Sequence, residues 1–319
     1  LSSIRSFRFP DGDGKSGKDD DDDPSGRVIG DPDKLIDLAK REKIKAELVG
    51  TWKYIDTPHY IVIYNCDDPL AKHIAKRVEY MREHAFEKVF PPVKPIEEAM
   101  VVRVCKEMDE YHHYGGPRGS AGYWASYKDE LVFPDLSSGS KPDDKTIGVL
   151  NHEAFHQYVY YALLKHNPPV WFNEGYAEYF FCVNSTGRKL QFMKSHPMRY
   201  GVVKSARGTG KLIPLKDFTK LSHGDYMRRA NLCYAQGWAF AKWLKKVTKN
   251  ERWRQIPDIF FRELQEGYRR QQEQGGGFPG YGRERGPVVE KAYEKAFEGV
   301  DFDEMDEAFQ KDLRTKIGR

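Results

Sequence analysis

Leu150-Asn-His152-Glu153-Ala-Phe-His156-Gln-Tyr-Val159 is the stretch from which the rest of the chain is read. Leu150, Ala154, Val159 and Leu163 recur at helical spacing and give the segment an apolar side. His152 and His156 are four residues apart, so on a helix they share a face and both imidazoles reach a single metal ion. Glu153 projects beside that face, where it can take a proton from a metal-activated water. A break at Asn167-Pro-Pro169 follows, and a second helical pattern reads Trp171-Phe-Asn173-Glu174-Gly-Tyr-Ala-Glu178-Tyr-Phe180. A Pro-bounded turn allows an antiparallel helix pair, which returns Glu174 over the two histidines. Two His, one Glu and an open position form the donor set of a catalytic zinc site, whereas structural zinc sites are closed by four protein ligands. Iron or cobalt fits the same ligands; tetrahedral His/Glu sites favour Zn2+, here one per chain. Glu178, a turn beyond Glu174, is placed to accept the other N–H of a ligand histidine, and Asn173 flanks the ligand.

Working outward, the chain before this helix alternates strand and helix. Tyr60-Ile-Val-Ile-Tyr64 and Met100-Val-Val-Arg-Val-Cys105 are short β-branched, apolar runs and predict strands. Between them Leu70, Ile74, Val78, Met81, Ala85 and Val89 predict one amphipathic helix, ended by Pro91-Pro92. Gly122–Tyr127 and Glu130–Phe133 predict a hairpin-like pair, and Pro32 to Glu47 a charged helix. After Ile147 the pattern turns helical, over Leu150–Lys165, Trp171–Cys182, Ala230–Val247, Ile256–Gln272, Val288–Phe297 and Phe302–Leu313, with Asp301 or Asp303 as the last N-cap. The expected organisation is a flexible acidic segment (1–33), an α/β lobe (34–146), a helical catalytic lobe (147–272), a Gly-rich linker (273–287) and C-terminal helices (288–319).

The 319 residues suffice for two domains, or one domain of two lobes, with a sizeable core. No run of 18 apolar residues occurs, which excludes a membrane-spanning helix, and a net charge of +4 is too slight to argue for nucleic acid. Cys66, Cys105, Cys182 and Cys233 are far apart and form no zinc-ribbon pattern, leaving disulfide pairing open. The carboxylates of Asp11–Asp23 suit Ca2+, but the terminal Glu of an EF-hand loop is missing and a solvated linker outweighs that reading. The start at Leu1 rather than Met fits a removed signal peptide and leans towards an extracytoplasmic or secreted location. His112-His113 read as a loop or cleft feature rather than a ligand pair, because neighbours on a strand point to opposite faces. Arg188 to Lys211 holds eight basic residues counting His196; a solvated loop outweighs a preference for acidic substrates.

His152-Glu-x-x-His156 followed by Asn173-Glu-Gly-Tyr-Ala-Glu178 resembles the gluzincin metallopeptidases, whose third ligand is the Glu of an Asn-Glu motif on a following helix. Thr57-Pro-His-Tyr-Ile-Val-Ile63, Gly119-Ser-Ala-Gly-Tyr123 and Tyr234-Ala-Gln-Gly-Trp-Ala-Phe240 extend the resemblance to the bacterial peptidase MA-like group, over about residues 50–250. The resemblance implies a zincin-like α+β fold: an N-terminal mixed α/β lobe with a small sheet, then a mainly helical lobe carrying the HExxH helix. It implies a zinc-dependent hydrolase of protein or peptide substrates, with His152, His156 and Glu174 as ligands and Glu153 as general base. Tyr234 is the matching candidate for the oxyanion donor, against a plain core aromatic. Gly122, Tyr123 and Trp124 would belong to an edge strand that pairs with an extended substrate, against an ordinary core strand. Two alternatives stay open, a zinc-containing binding protein with restricted catalysis and a zinc hydrolase of a non-peptide substrate.

Overall fold

A computed structural model of the chain describes residues 27–136, 144–184, 190–275 and 286–317. Its class is mixed α+β. The chain divides into two units: residues up to Val89, Pro95–Gln157 and Val183–Gln191 form the first, and Phe90–Lys94, Tyr158–Cys182 and Phe192 onward form the second.

The first unit contains α1 (Leu38–Glu47), β1 (Lys53–Asp56), β2 (Tyr60–Tyr64), α2 (Asp68–Met81), α3 (Glu87–Val89), β3 (Met100–Cys105), α4 (Met108–His113), β4 (Tyr123–Ala125) and β5 (Glu130–Pro134). It also holds most of α5 (Asp144–Ala162), while the short strands β6 (Val183–Asn184) and β7 (Gln191–Phe192) pair with each other. Five strands run in the order β1-β2-β3-β5-β4, with parallel pairing of β2 to β3 and β3 to β5 and antiparallel pairing at both edges. All five residues of β2 are buried, which explains a continuous apolar run rather than an alternating one. β1 escapes the sequence reading because Lys53-Tyr-Ile-Asp56 has only one aliphatic residue.

Three expectations need correction. The helix from Leu70 to Val89 is interrupted by a π-helical turn at Arg82–Phe86, a one-residue widening that apolar spacing does not resolve. His112 and His113 lie on helix α4, and the His112 ring is bonded to the Gly116 carbonyl at 3.0 Å. The basic stretch after Arg188 is not all loop, since α7 (Tyr200–Gly208) buries Val203 and Ala206.

A fully buried guanidinium joins α1 to the β1–β2 turn. Arg41 donates to Asp56 Oδ1 (2.6 Å) and to the carbonyls of Ile36, Thr57, Pro58 and Tyr60 at 2.7–3.1 Å. Lys45 closes the second Asp56 oxygen at 2.9 Å. Both Asp56 oxygens and the Thr57, Pro58 and Tyr60 carbonyls thereby have donors, the condition for burying charge at all.

The second unit is helical: α6 (Val170–Phe181), α7, α8 (Leu215–Phe218), α9 (His223–Arg228), α10 (Ala230–Lys242), α11 (Glu251–Glu273), α12 (Pro287–Ala296) and α13 (Phe302–Thr315), with a π-helical turn at Trp243–Val247. Asp301 caps α13 through the Asp303 and Glu304 amides. α6 and α10 approach backbone to backbone: a Cβ on Gly175 would stand 3.1 Å from the Gly237 carbonyl oxygen, and one on Gly237 would stand 3.2 Å from Gly175 Cα. Trp171, Phe172, Trp238 and Phe240 fill the space around that crossing and are all buried. Among the described residues no helix is long and apolar enough to cross a membrane.

His166, in the link between α5 and α6, is 5% exposed and stacks on Tyr268 with ring centroids 3.9 Å apart. Its Nδ1 lies 2.9 and 3.1 Å from the carbonyls of Leu164 and Leu163, so that nitrogen carries the proton. Nε2 has no hydrogen-bond partner among the described residues, and burial holds the imidazole below its ordinary 6.5. Two stability predictions follow from these buried groups. Arg41→Met, which leaves Asp56 with Lys45 alone and removes a buried donor from four carbonyls, costs about 3–5 kcal/mol in urea unfolding; a loss within experimental error would show that the guanidinium is dispensable. For His166 the unfolded chain binds the proton first, so stability falls as pH drops below 6.5 towards the lower folded value. Urea midpoints of wild type and His166→Asn should separate between neutral pH and pH about 5, with Asn the less acid-sensitive; parallel curves would refute the assignment.

Candidate metal centre

Helix α5 is pinned within the first unit by polar side chains the sequence reading did not single out. Arg77 donates from Nε to Asn151 Oδ1 (2.9 Å), and both Arg77 and Asn151 donate to the Val183 carbonyl, at 2.8 and 3.1 Å. Gln157 donates to the Val101 carbonyl of β3 at 2.9 Å. Asn151 and Gln157 bracket the His152–His156 turn, so its azimuth is set by hydrogen bonds as well as by Leu150, Ala154 and Phe155 in the core.

On that turn the His152 and His156 Nε2 atoms stand 3.1 Å apart, with the rings edge to face at 83°. A tetrahedral zinc with Zn–N distances of about 2.0–2.1 Å separates two ligand nitrogens by about 3.3 Å. One ligand atom each from His152, His156 and Glu174 lie within 4.8 Å of one another. His156 and Glu174 are each 8% exposed, and two imidazoles with one carboxylate match a divalent ion of intermediate softness. The two histidines fit zinc in type and in the spacing of their nitrogens, and Glu174 offers a third donor of matching type.

Glu153 is held from the sheet. Its Oε2 accepts the backbone N–H of Trp124 at 3.1 Å, and Trp124 lies on β4, the edge strand of the five. Gly122 makes room for the contact: a Cβ there would stand 3.2 Å from Glu153 Cγ, 3.2 Å from Phe133 Cδ2 and 3.4 Å from Val149 Cγ1. Tyr123, beside it, packs edge-on to Tyr111 at 5.7 Å.

In the second unit, α6 carries Asn173, Glu174 and Glu178. Glu178 is 2% exposed and takes two bonds from Arg199, Nε to Oε2 at 3.1 Å and a terminal nitrogen to Oε1 at 2.8 Å. His196 Nε2 is also 2.6 Å from Oε2, its ring turned off the line of an ideal hydrogen bond. His196 and Arg199 are thus the partners of Glu178 that the sequence reading did not name. Tyr234, one turn before Gly237 on α10, is half-buried, with the Arg199 guanidinium 4.9 Å from its ring centroid and Tyr226 edge-on at 5.5 Å. Burial, and then the charge of Glu174, push the Tyr226 phenol well above its ordinary pKa, so it stays a neutral O–H.

A second His/Glu group, His59, Glu79 and Glu83, also brings its ligand atoms within 4.8 Å of one another. Glu79 there is engaged by the Thr57 hydroxyl (2.5 Å), the His59 N–H (3.1 Å) and the His59 ring, so it braces the β1–β2 turn against α2. The four cysteines are free thiols, and burial pushes Cys66 and Cys105 up to about 12. The Asp11–Asp23 run lies outside the described residues. Compared with protein-family models the chain matches none, and no curated protein matches it by sequence.

The Gly122 slot is testable through stability alone. Gly122→Ala is expected to cost about 1–3 kcal/mol by overpacking, and Glu153→Ala, which removes the crowding Cγ, should recover part of that cost in the double variant. Strict additivity of the two changes would show that Gly122 does not serve Glu153.

Proposed function

We propose that the chain is a zinc-dependent metallopeptidase of the gluzincin type, hydrolysing peptide bonds in protein or peptide substrates. What carries the reading is the group His152, His156 and Glu174, with Glu153 next in sequence to a ligand and bonded to the amide of an edge strand. His152, His156 and Glu174 would hold the ion, the carboxylate offsetting one of its two charges. When bound, zinc supplies a Lewis acid for the scissile carbonyl and makes a water acidic enough to attack near neutral pH.

The protein's own groups do the rest. Glu153 takes a proton from the attacking water as its oxygen bonds to the carbonyl carbon, then passes that proton to the nitrogen as the C–N bond breaks. Tyr234 donates its O–H to the oxygen on which negative charge develops. Gly122, Tyr123 and Trp124 offer a short edge along which an extended substrate lies, exchanging with Glu153 for the Trp124 N–H. The Trp124 amide holds Glu153 in place and lies where such a strand would run.

Metal analysis with peptide-library cleavage tests the reading, comparing wild type, His156→Ala and Glu153→Gln. Wild type and Glu153→Gln should each hold about one zinc per chain and His156→Ala far less. Cleavage should fall by about 100-fold or more in Glu153→Gln. Absence of zinc from the wild type, or cleavage by Glu153→Gln at the wild-type rate, would refute the proposal. Bound zinc with no peptide cut would move the assignment to a hydrolase of another substrate or to a binding protein.

A further inference from the structure

The basic stretch between Arg188 and Lys211 has no part in the chemistry proposed above, yet it packs a buried His196 and a half-buried Arg199 against the helix that carries Glu174. His196 is 1% exposed, lies face to face with Phe181 at 4.5 Å and meets Trp238 edge-on. Its Nδ1 accepts the Met198 amide at 3.2 Å, so the ring proton sits on Nε2, facing Glu178. That local bond shapes the turn into α7 and delivers Arg199 to the same carboxylate. A bidentate pair fixes both the position and the plane of a guanidinium, which a lysine ammonium does not reproduce. The outer face of the Arg199 guanidinium then stands over the ring of Tyr234. Tyr226 closes on that ring edge-on, and its own hydroxyl lies 3.0 Å from where a Cβ of Gly237 would be. Tyr234 is therefore held by a cation above it and an aromatic ring beside it. The cation is tied to Glu178, one turn along α6 from Glu174.

We propose that Arg199 is a positioning residue of the active site, which couples Tyr234 to α6 through the Glu178 pair and fixes where the phenol hydroxyl stands. The role assigned to Tyr234 rests on the peptidase reading; the physical coupling of Arg199 to Tyr234 does not. Burial alone would lower the Arg199 pKa, and its Glu178 bonds reverse that, so the cation persists throughout the working range. A charge over the ring face acts on the phenol electrostatically and also removes rotational freedom from it.

The test uses the full chain with zinc, in Arg199→Gln, Arg199→Lys, Tyr234→Phe and the Arg199→Gln/Tyr234→Phe double variant, with Lys204→Gln, an exposed position of α7, as the charge control. Arg199→Gln should keep its zinc and a KM within about twofold, while kcat falls about tenfold. Arg199→Lys should recover part of that loss. In the Tyr234→Phe background the Arg199→Gln change should cost almost nothing further, because its effect passes through the hydroxyl already removed. Equal losses in both backgrounds, or loss of zinc from Arg199→Gln and Arg199→Lys alike, would overturn the proposal. A readout without substrate separates this from failure of the peptidase reading. With 3-fluorotyrosine incorporated, the 19F resonance of residue 234, identified by its disappearance in Tyr234→Phe, should shift in Arg199→Gln and not in Lys204→Gln. A resonance unmoved by Arg199→Gln refutes the positioning, whether or not the wild type cuts peptides.

Discussion

The meeting of α6 and α10 at Gly175 and Gly237 is the constraint on which the second unit depends. Each glycine's Cα faces the other's backbone at a distance a methyl group would fill. Because the helices touch at main-chain range, side chains one turn away on either helix fall within reach of a common space. Glu178 and Tyr234 are such residues, and Arg199 reaches both. Larger residues at the crossing would separate the helices by ångströms, and a bidentate pair tolerates only tenths of an ångström. The aromatic mass around it, with Trp171, Phe172, Trp238 and Phe240 all buried, keeps the crossing from relaxing.

Both units bury charge, and they satisfy it differently. Arg41 pairs with Asp56 and otherwise donates to backbone carbonyls, three of them in the β1–β2 turn and one at Ile36. Glu178 is served by two side chains about twenty residues downstream, on a segment that has to fold back first. The first arrangement shapes a turn, and the second commits a loop to a helix. Both follow the same accounting of desolvation against hydrogen bonds.

How much of this was legible in the sequence depended on how local the signal was. β2 and β3 run over Tyr60–Tyr64 and Met100–Cys105 as the apolar runs predict, because central parallel strands are buried on both faces. The His152–His156 spacing is likewise local, and so is the Asp301 cap. β1 was missed because only half of it is buried, and the π-helical turns because they add one residue to an unbroken apolar pattern. The Arg77–Asn151 bond spans 74 positions and the Gln157–Val101 bond 56, and no spacing rule within a segment reveals such pairs. Gly122 opens the strand predicted over Gly122–Tyr127, but nothing in that pattern shows that its missing side chain leaves room for Glu153. In the basic stretch, charge alone suggested solvent, and only the buried Glu178 on another helix explains why His196 and Arg199 turn inward.

The contact between Glu153 and β4 also bears on how the molecule avoids its own kind. An open sheet edge invites the edge of another copy, and chains that leave one long and bare tend to aggregate. Here the edge strand has three residues, and its central amide is already bonded to a carboxylate. A second copy sliding its edge alongside would have to strip Glu153 of that amide and leave a charge close against it. A short edge with a carboxylate on its central amide thus presents few free main-chain groups to an indiscriminate partner strand.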